Sequence, residues 1–194
     1  SEPVAIKDVK AIGAQSGAKV NDVVLAVVSG AVRRYLLAKR LMPASPLVAA
    51  MPVSLRAEGD SIYSTRATMV LANLATHIAD PRERLEAIRA SAGNAKAITP
   101  RAKAIIPMDL PAIGAPWVLS GIARAYGYAQ AVKAFPPLAN LVVSNVPGPQ
   151  APLYLCGQRI AEMHFWVPQS GSIGVGASIL SYAGKVFFGL IADR

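Results

Sequence analysis

A Ser-Asn pair followed by a rigid turn is the pattern in this sequence that is best suited to chemistry. Ser144 and Asn145 follow the apolar run 141–143 and precede the Pro-Gly-Pro tripeptide 147–149. Because proline fixes φ and glycine permits unusual φ values, we expect the turn to hold both polar side chains in one geometry. Preorganised groups of this kind stabilise negative charge on a reacting carbonyl oxygen. An ordinary strand-to-turn junction, with Asn145 capping the turn, explains the same residues without chemistry.

The other reactive side chains occur in patterns that favour structural roles. His77 ends a predicted strand and His164 alternates with apolar neighbours, so both are interpreted as structural histidines. Cys156 is predicted to be an inert packed thiol. Because it is the single cysteine of the sequence, an internal disulfide and a multi-cysteine metal site are excluded. The sequence has no nucleophile elbow, phosphate-binding loop or zinc-protease motif. The residues alone therefore indicate no catalytic residue, metal or cofactor in this chain.

Three helices are predicted around these side chains. A short helix over residues 4–15 ends at Gly17, and a long amphipathic helix over residues 20–40 is expected to be the longest of the chain. Asn21 and Asp22 lie at the start of the long helix, where one of them is expected to be the N-cap. Asp80 and a following proline predict the start of a third helix, which runs to about residue 98.

Strand patterns surround the helices without regular alternation. Residues 46–55 and 65–78 are predicted strands, and an internal proline at position 52 requires an edge position or a bulge. Four further strands are predicted over residues 153–156, 159–167, 172–181 and 185–192, with a hairpin turn at 183–184. Residues 99–137 contain several prolines and predict short broken helices. The fold class is therefore α+β, a mixed-sheet α/β sandwich.

The composition indicates a chain whose surface is covered by something or meets an anionic partner. Hydrophobic residues make up 53% and charged residues 16%, and the net charge is +9. A positive field attracts phosphates and anionic lipid surfaces. A nucleic-acid role is not expected because the basic residues do not alternate with aromatic residues and no recognition motif is present. We expect a cytoplasmic protein, since no signal peptide or membrane-spanning run is found.

Four ordered segments carry a family resemblance. They are VNDVVLAVVSGAVRRYL, MPVSLRAEGD, THIADPRERL and NLVVSNVPGP, and in this order and spacing the chain resembles the C-terminal half of the bacterial wax ester synthase/diacylglycerol acyltransferase family. The resemblance covers residues 4–192. It implies one lobe of a two-lobed fold similar to chloramphenicol acetyltransferase, in which each lobe has a mixed sheet with flanking helices and the active site lies in a tunnel between the lobes.

The resemblance also implies an activity that this chain cannot complete alone. Family members transfer the acyl group of acyl-CoA to a fatty alcohol or to diacylglycerol, with acyl-CoA as a substrate and no cofactor. The catalytic histidine belongs to an HHxxxDG motif of the N-terminal lobe, where it acts as the base. That motif is absent here, so residues 1–194 are expected to be a C-terminal acyltransferase lobe that requires an N-terminal partner lobe. We expect the enzyme to lie peripherally on the inner membrane or on lipid inclusions.

Site residues are implied position by position. Asn21 and Asp22 match a motif at the start of a helix that supports the active site, and Ser144 and Asn145 match a motif beside the tunnel. We predict that this second pair polarises the thioester carbonyl. Substrate contacts are implied for the residues Arg56, Pro147, Gly148 and Pro149. The basic residues Arg33, Arg34, Arg101 and Lys103 are candidates for CoA phosphates or a lipid headgroup surface, with ordinary solvated charge as the alternative.

The absent HHxxxDG motif and one further departure from the family pattern leave other functions open. Many family members have a Gly-Asn pair soon after the PVSLR segment, whereas this chain has Ser64, Thr65 and Arg66 near that point. One alternative function is a non-catalytic lipid-surface binding module of the same fold. Another is a condensation-domain-like half that acts on thioesters carried by a carrier protein.

Overall fold

A computed structural model of the chain describes residues 3–54, 67–103, 139–167 and 173–192. Its strands are β1 (Val4–Ala5), β2 (Val48–Ser54), β3 (Ala67–Asn73), β4 (Leu141–Pro147), β5 (Tyr154–Leu155), β6 (Gln158–Arg159), β7 (Val175–Tyr182) and β8 (Lys185–Ala192). Its helices are α1 (Ile6–Ser16), α2 (Val20–Ala38) and α3 (Pro81–Lys103). The mixture of helices with a mixed sheet confirms the predicted α+β class. The broken helices predicted for residues 99–137 lie mostly outside the described residues.

The main sheet has six strands in the order β1-β8-β7-β4-β2-β3. Strand β4 lies near its centre and pairs in parallel with both β2 and β7, whereas the other pairs are antiparallel. Strand β2 pairs with β4 only at Ala49 and Ala50. Pro52 therefore lies beyond that ladder and, among the described strands, pairs only with β3. At this position β2 is an edge, which is where a proline is tolerated.

Local sequence signals set the helix ends. Gly17 adopts a left-handed conformation with φ 62° after α1, as the predicted terminator requires. The carboxylate of Asp80 accepts hydrogen bonds from the N–H groups of Arg82 and Glu83 at 2.8 and 3.0 Å, so the predicted cap of α3 is confirmed. The expectation that α2 would be the longest helix is wrong, because α3 has 23 residues and α2 has 19.

One face of the sheet carries the helices and the main core. The buried residues Val24, Leu25 and Val28 of α2 belong to the same cluster as Leu141 and Ile179 of the sheet. Because β4 alternates its side chains, the apolar run 141–143 contributes to both faces. This packing fixes the N-terminal half of α2 over β4, and the candidate site depends on that placement.

The opposite face of β7 and β8 is crossed by the segment 160–167. The Ser178 hydroxyl donates to the Phe165 carbonyl oxygen at 2.5 Å, and Val167 lies against Gly176. The strand predicted over residues 159–167 is therefore wrong beyond Arg159, because this segment is held by side-chain bonds and glycine contacts instead of a backbone ladder. The predicted hairpin turn is confirmed at Ala183 and Gly184, whose φ values are 47° and 78°.

Candidate functional site

Two asparagine amides meet where the first turn of α2 lies over the later part of β4. The Asn145 Nδ2 group donates to Asn21 Oδ1 at 3.4 Å, and Asn21 Nδ2 lies 3.7 Å from the Met51 sulfur. Asn21 and Asn145 come from two of the four motif segments and are 124 positions apart in the chain. An amide carries two N–H bonds, and among the described residues only Asn21 accepts one from Asn145.

A cleft of about 440 Å³ opens at these two amides. Its described lining is largely apolar, but two lysines lie near Asn21 and Asn145, and the described lining contains no carboxylate. The full lining consists of Ile6, Lys10, Lys19, Val20, Asn21, Val24, Asn145, Pro147, Gln150, Ser181 and Val186. The N-terminal end of α2 adds a positive helix dipole at the same place. The cleft is therefore suited to a ligand that carries or develops negative charge.

Asp22 supports this cleft without facing it. Its side chain is buried, with 4% exposure, and its carboxylate accepts the Lys19 N–H at 2.9 Å. Lys19 is the N-cap residue, so the expectation that Asn21 or Asp22 occupies that position is wrong. The physical reason is that α2 begins at Val20, which places Asp22 at the third helical position, where it completes one half of a capping box. Asp22 therefore fixes the helix start that carries Asn21.

The structure separates the predicted Ser-Asn pair. The strand does not end before Ser144, as predicted, but continues to Pro147, so the two side chains alternate across the sheet. Asn145 faces α2 and the cleft, whereas Ser144 is buried beside its register partner Ser178, whose hydroxyl bonds to the segment on the other face. A joint action of Ser144 and Asn145 on one carbonyl oxygen is therefore incompatible with this geometry.

The Pro-Gly-Pro corner is fastened to the turn between β7 and β8. The Gly148 N–H donates to the Ser181 hydroxyl at 3.3 Å, and the Ala183 N–H donates to the Pro149 carbonyl at 3.1 Å. A Cβ atom on Gly148 would collide with the Ser181 carbonyl oxygen. Pro147 lines the cleft, whereas Gly148 and Pro149 hold the corner in place. Their substrate contact stays a prediction.

Gln150 is a site residue that the sequence interpretation missed. Its Nε2 group donates to the Gly148 carbonyl at 2.9 Å and to the Ser181 hydroxyl at 3.2 Å, while its Oε1 accepts the Gly184 N–H at 3.3 Å. Gln150 and Ser181 both line the cleft. The position of Gln150 directly after the rigid corner was an available signal, whereas Ser181 becomes visible only through the register of β7 with β4.

Of the four basic residues proposed for phosphate contact, Arg33 and Arg34 do not line the cleft. The Arg33 guanidinium donates to the Thr76 and His77 carbonyls at 2.6 and 3.1 Å, and Arg34 lies exposed beside it on α2. Both are at least 12 residues along α2 from Asn21, which corresponds to about 18 Å. Burial and the nearby Arg33 lower the pKa of Arg84, whose guanidinium donates to the Ile78 and Ala79 carbonyls. Arg33 and Arg84 thus hold the loop before α3.

Three other predicted binding residues cannot be placed. Arg56 lies outside the described residues, as do the side chains of Arg101 and Lys103. Their proposed contacts with substrate, CoA phosphates or a lipid headgroup surface stay predictions.

Neither histidine lies among the described residues that line the cleft. His77 is exposed, and His164 contacts Glu162 at 3.3 Å and the edge of the Phe187 ring at 5.2 Å. The described part of the chain holds no group of three metal-ligating side chains. Within the same part, no helix combines the length and apolarity needed to cross a bilayer. The described cleft therefore offers hydrogen-bond donors and positive charge, but no imidazole base.

Comparisons with known proteins place this geometry in a larger context. Residues 64–194 match the model of the WS/DGAT C-terminal domain. A putative diacylglycerol O-acyltransferase of Mycobacterium tuberculosis strain H37Rv is 38% identical over 190 residues, which is 96% of this chain and 40% of that protein. The O-acyltransferase WSD of Acinetobacter baylyi is 40% identical over 175 residues, 90% of this chain and 37% of that protein.

A solved structure gives the same result. The wax ester synthase/diacylglycerol acyltransferase from Marinobacter aquaeolei VT8 superposes with a TM-score of 0.65 and 27% identity, covering 98% of this chain and 41% of that one. The chain thus spans about 40% of the length of the relatives that it matches.

Proposed function

The chain belongs to the wax ester synthase/diacylglycerol acyltransferase family, whose C-terminal domain it matches, and we propose that it forms one lobe of an acyl-CoA-dependent O-acyltransferase. Its expected acceptors are fatty alcohols and diacylglycerol, which would give wax esters and triacylglycerol. The observation that supports this best is the Asn21–Asn145 pair at a basic cleft. The pair joins two of the motif segments in one place and supplies an N–H donor.

The proposed reaction is an acyl transfer from sulfur to oxygen. The acceptor hydroxyl oxygen attacks the thioester carbonyl carbon while its proton passes to a base, and the carbonyl oxygen becomes an oxyanion. When that intermediate collapses, the C–S bond breaks, the ester forms and the CoA thiolate takes up the proton. In this proposal the second N–H of Asn145 donates to the oxyanion, and the two lysines of the cleft add positive potential.

The base is the component that this chain does not supply. Its sequence contains two histidines, which are not adjacent and are not followed by an Asp-Gly at the HHxxxDG spacing. We propose that the imidazole comes from an N-terminal lobe that packs against this one, and that the cleft of the present lobe forms one wall of the shared active site. The chain alone is therefore expected to be inactive.

The substrates also define where the enzyme would act. Long-chain alcohols and diacylglycerol reside in lipid phases, so the assembled enzyme is expected to work peripherally on the inner membrane or on lipid inclusions. The net charge of +9 supports this placement because anionic lipid surfaces attract cationic proteins.

The decisive experiment combines this chain with a histidine-bearing lobe of the family. The two are co-purified, and ester formation is measured from palmitoyl-CoA with hexadecanol or with diacylglycerol. Turnover by the complex, with none from either lobe alone, is the expected result. An intact complex without turnover would favour a non-catalytic lipid-binding module, and turnover only with carrier-bound acyl groups would favour a condensation-type enzyme.

A further inference from the structure

The β5–β6 hairpin presents large apolar side chains to solvent. Tyr154 and Leu155 are 65% and 69% exposed. The hairpin turns through Cys156 and Gly157, whose φ values of 50° and 77° are those of a tight turn with both central residues left-handed. A tyrosine next to a leucine at such exposure, on a projecting turn, is typical of a surface that meets an apolar phase.

A buried tyrosine holds the base of this hairpin. The Tyr182 hydroxyl accepts the Leu153 N–H at 2.7 Å and donates to the Ile160 carbonyl at 3.0 Å. The Ile160 N–H donates in turn to the Leu153 carbonyl at 2.9 Å. Tyr182 itself is only 1% exposed, so the exposed tip projects from a base that is fixed to the core.

A basic cleft lies at the foot of the same hairpin. It measures about 400 Å³ and is lined by Arg159, Ile160, Ala161, Tyr182, Ala183 and Lys185. Among the described residues, the lining contains two cations and no carboxylate, and Arg159 is also the register partner of Tyr154. The nearby carboxylate of Glu162 is engaged by His164 at 3.3 Å. Cations thus stand beside an aromatic and aliphatic tip, an arrangement that suits anionic lipid headgroups above a hydrocarbon phase.

We propose that the β5–β6 hairpin is the surface by which this lobe docks on an anionic phospholipid layer. Tyr154 and Leu155 enter the interface, and Arg159 and Lys185 bind headgroup phosphates. This inference rests on the proposed function, since it names the surface for the lipid contact given there. Residues next to the turn at 183–184 line both clefts, Ala183 and Lys185 in this one and Ser181 and Val186 in the Asn21–Asn145 cleft. Docking would therefore hold the substrate cleft near the lipid.

The chain offers matched variants for a test by vesicle flotation. Tyr154→Ser with Leu155→Ser removes the tip, and Tyr35→Ser with Leu41→Ser removes the same two residue types at 61% and 63% exposure elsewhere. Arg159→Gln with Lys185→Gln removes the charges of the cleft, and Arg82→Gln with Lys39→Gln, at two other exposed positions, is the control of equal net charge. Urea unfolding confirms that each variant remains folded.

The expected result is selective. On vesicles of phosphatidylcholine with phosphatidylglycerol, the tip and cleft variants each lose about tenfold or more in partitioning, because the apolar tip and the two cations act at one contact. The controls retain wild-type partitioning. Pure phosphatidylcholine vesicles bind less of the wild type and show no effect of the charge variants.

The single cysteine gives a second readout at the tip itself. Cys156 is free and exposed, so an environment-sensitive fluorophore attached there should shift to the blue when anionic vesicles are added. Equal losses in both matched pairs, or a label that does not respond, would overturn the docking surface. So would a tip variant that binds vesicles normally but no longer binds the histidine-bearing lobe, since the tip would then be a protein interface.

The two proposals fail separately. Ester formation measured with short-chain substrates in detergent-free solution reports on the acyltransferase and requires no lipid layer. Vesicle binding without that turnover would contradict the proposed function alone, and turnover without selective vesicle binding would contradict the docking surface alone.

Discussion

Asn145 reaches the cleft because its strand continues past the point where its sequence suggests an end. With the strand running to Pro147, alternation sends Asn145 toward α2 and Ser144 to the other face. The bond to Asn21 then fixes the rotation of the Asn145 amide, and the proposed function assigns its second N–H to a substrate oxygen. Ser144 and Asn145 are therefore expected to have different roles, which substitutions can distinguish.

Asn145→Ala should lower the turnover of the assembled enzyme by about 10²-fold or more, because one donor to the oxyanion is lost. Ester formation is measured in the complex with the histidine-bearing lobe. Ser144→Ala is the matched control, since this side chain lies on the opposite face, and it should leave turnover near the wild-type value. Equal rates for Asn145→Ala and wild type, with normal folding, would remove this amide from the mechanism.

Asn21→Asp tests the electrostatics of the cleft. The new carboxylate can still accept the Asn145 N–H, but its negative charge lies beside the developing oxyanion. We expect turnover to fall about tenfold or more, which corresponds to roughly 1.4 kcal/mol of repulsion. The thermal unfolding midpoint serves as the control for folding. A rate as high as that of the wild type would show that no negative charge develops near this amide.

The sequence supplied the residue types of the site but not their contacts. The two asparagines are visible as members of separate motifs, whereas their meeting depends on the packing of α2 over β4. Cys156, predicted to be packed, is exposed, because two-residue strands place it at the tip of a turn and not within a strand. Side-chain direction at such places follows from strand length, which local patterns define poorly.

At the scale of elements, the corner after β4 determines the shape of the cleft. Its backbone and Gln150 are bonded to the end of β7 and to the following turn. Since that turn also accepts the Ile6 N–H through the Gly184 carbonyl, the corner links β4 to the start of α1. Both sides of the cleft therefore depend on the corner.

Gly148→Ala should destabilise the fold by roughly 1–3 kcal/mol, because the added methyl group meets the backbone of β7. Urea unfolding gives the free energy. Gly174→Ala is the control, since a Cβ atom there has no neighbour within 4 Å among the described residues, and its effect should stay within about 0.5 kcal/mol. Similar stabilities for the two variants would show that the corner can move away from β7.

The cap of α3 predicts a dependence of stability on pH. Hydrogen bonds from the N–H groups of Glu83 and Arg82 hold the pKa of Asp80 below its ordinary value of about 3.9. The folded state therefore favours the ionised form, so this stabilisation is complete above the pKa of the unfolded chain. It is lost as the pH falls through the lower pKa of the folded state.

Thermal unfolding of the wild type and of Asp80→Asn measures this difference. Asparagine caps a helix without a titrating charge, so the advantage of the wild type should be present near neutral pH and vanish in acid. A difference that stays constant between these conditions would contradict the role given to the carboxylate.

For the whole molecule, the missing base predicts a fixed stoichiometry. When the histidine-bearing lobe is titrated into this chain, ester formation should rise until the two are present in equal amounts and then stay level. Light scattering of the same mixtures reports the mass of the complex. Activity that already exists before any addition would mean that another group in this chain takes the proton.

The architecture was more accessible to sequence reasoning than the site. Helix starts at Asp80, the termination at Gly17 and the turn at 183–184 all follow from local chemistry and are confirmed. The strand order does not follow from local chemistry, because β4 pairs with β2 and β7 across long intervals of chain. The packing of residues 160–167 on the sheet was not predicted from the sequence. It depends on glycines of the neighbouring strands, and no pattern in the segment itself indicates it.

The separation of 124 positions between the two cleft amides has a consequence for biosynthesis. On the ribosome, α1 and α2 are synthesised long before β4. Their apolar faces therefore stay exposed until the later strands of the sheet are translated. A nascent chain in this state exposes adhesive surface, which makes it a client for chaperones and vulnerable to aggregation. Slow translation of the residues between Asn21 and Asn145 would prolong that exposure. The length of this region determines how late in synthesis the cleft can form.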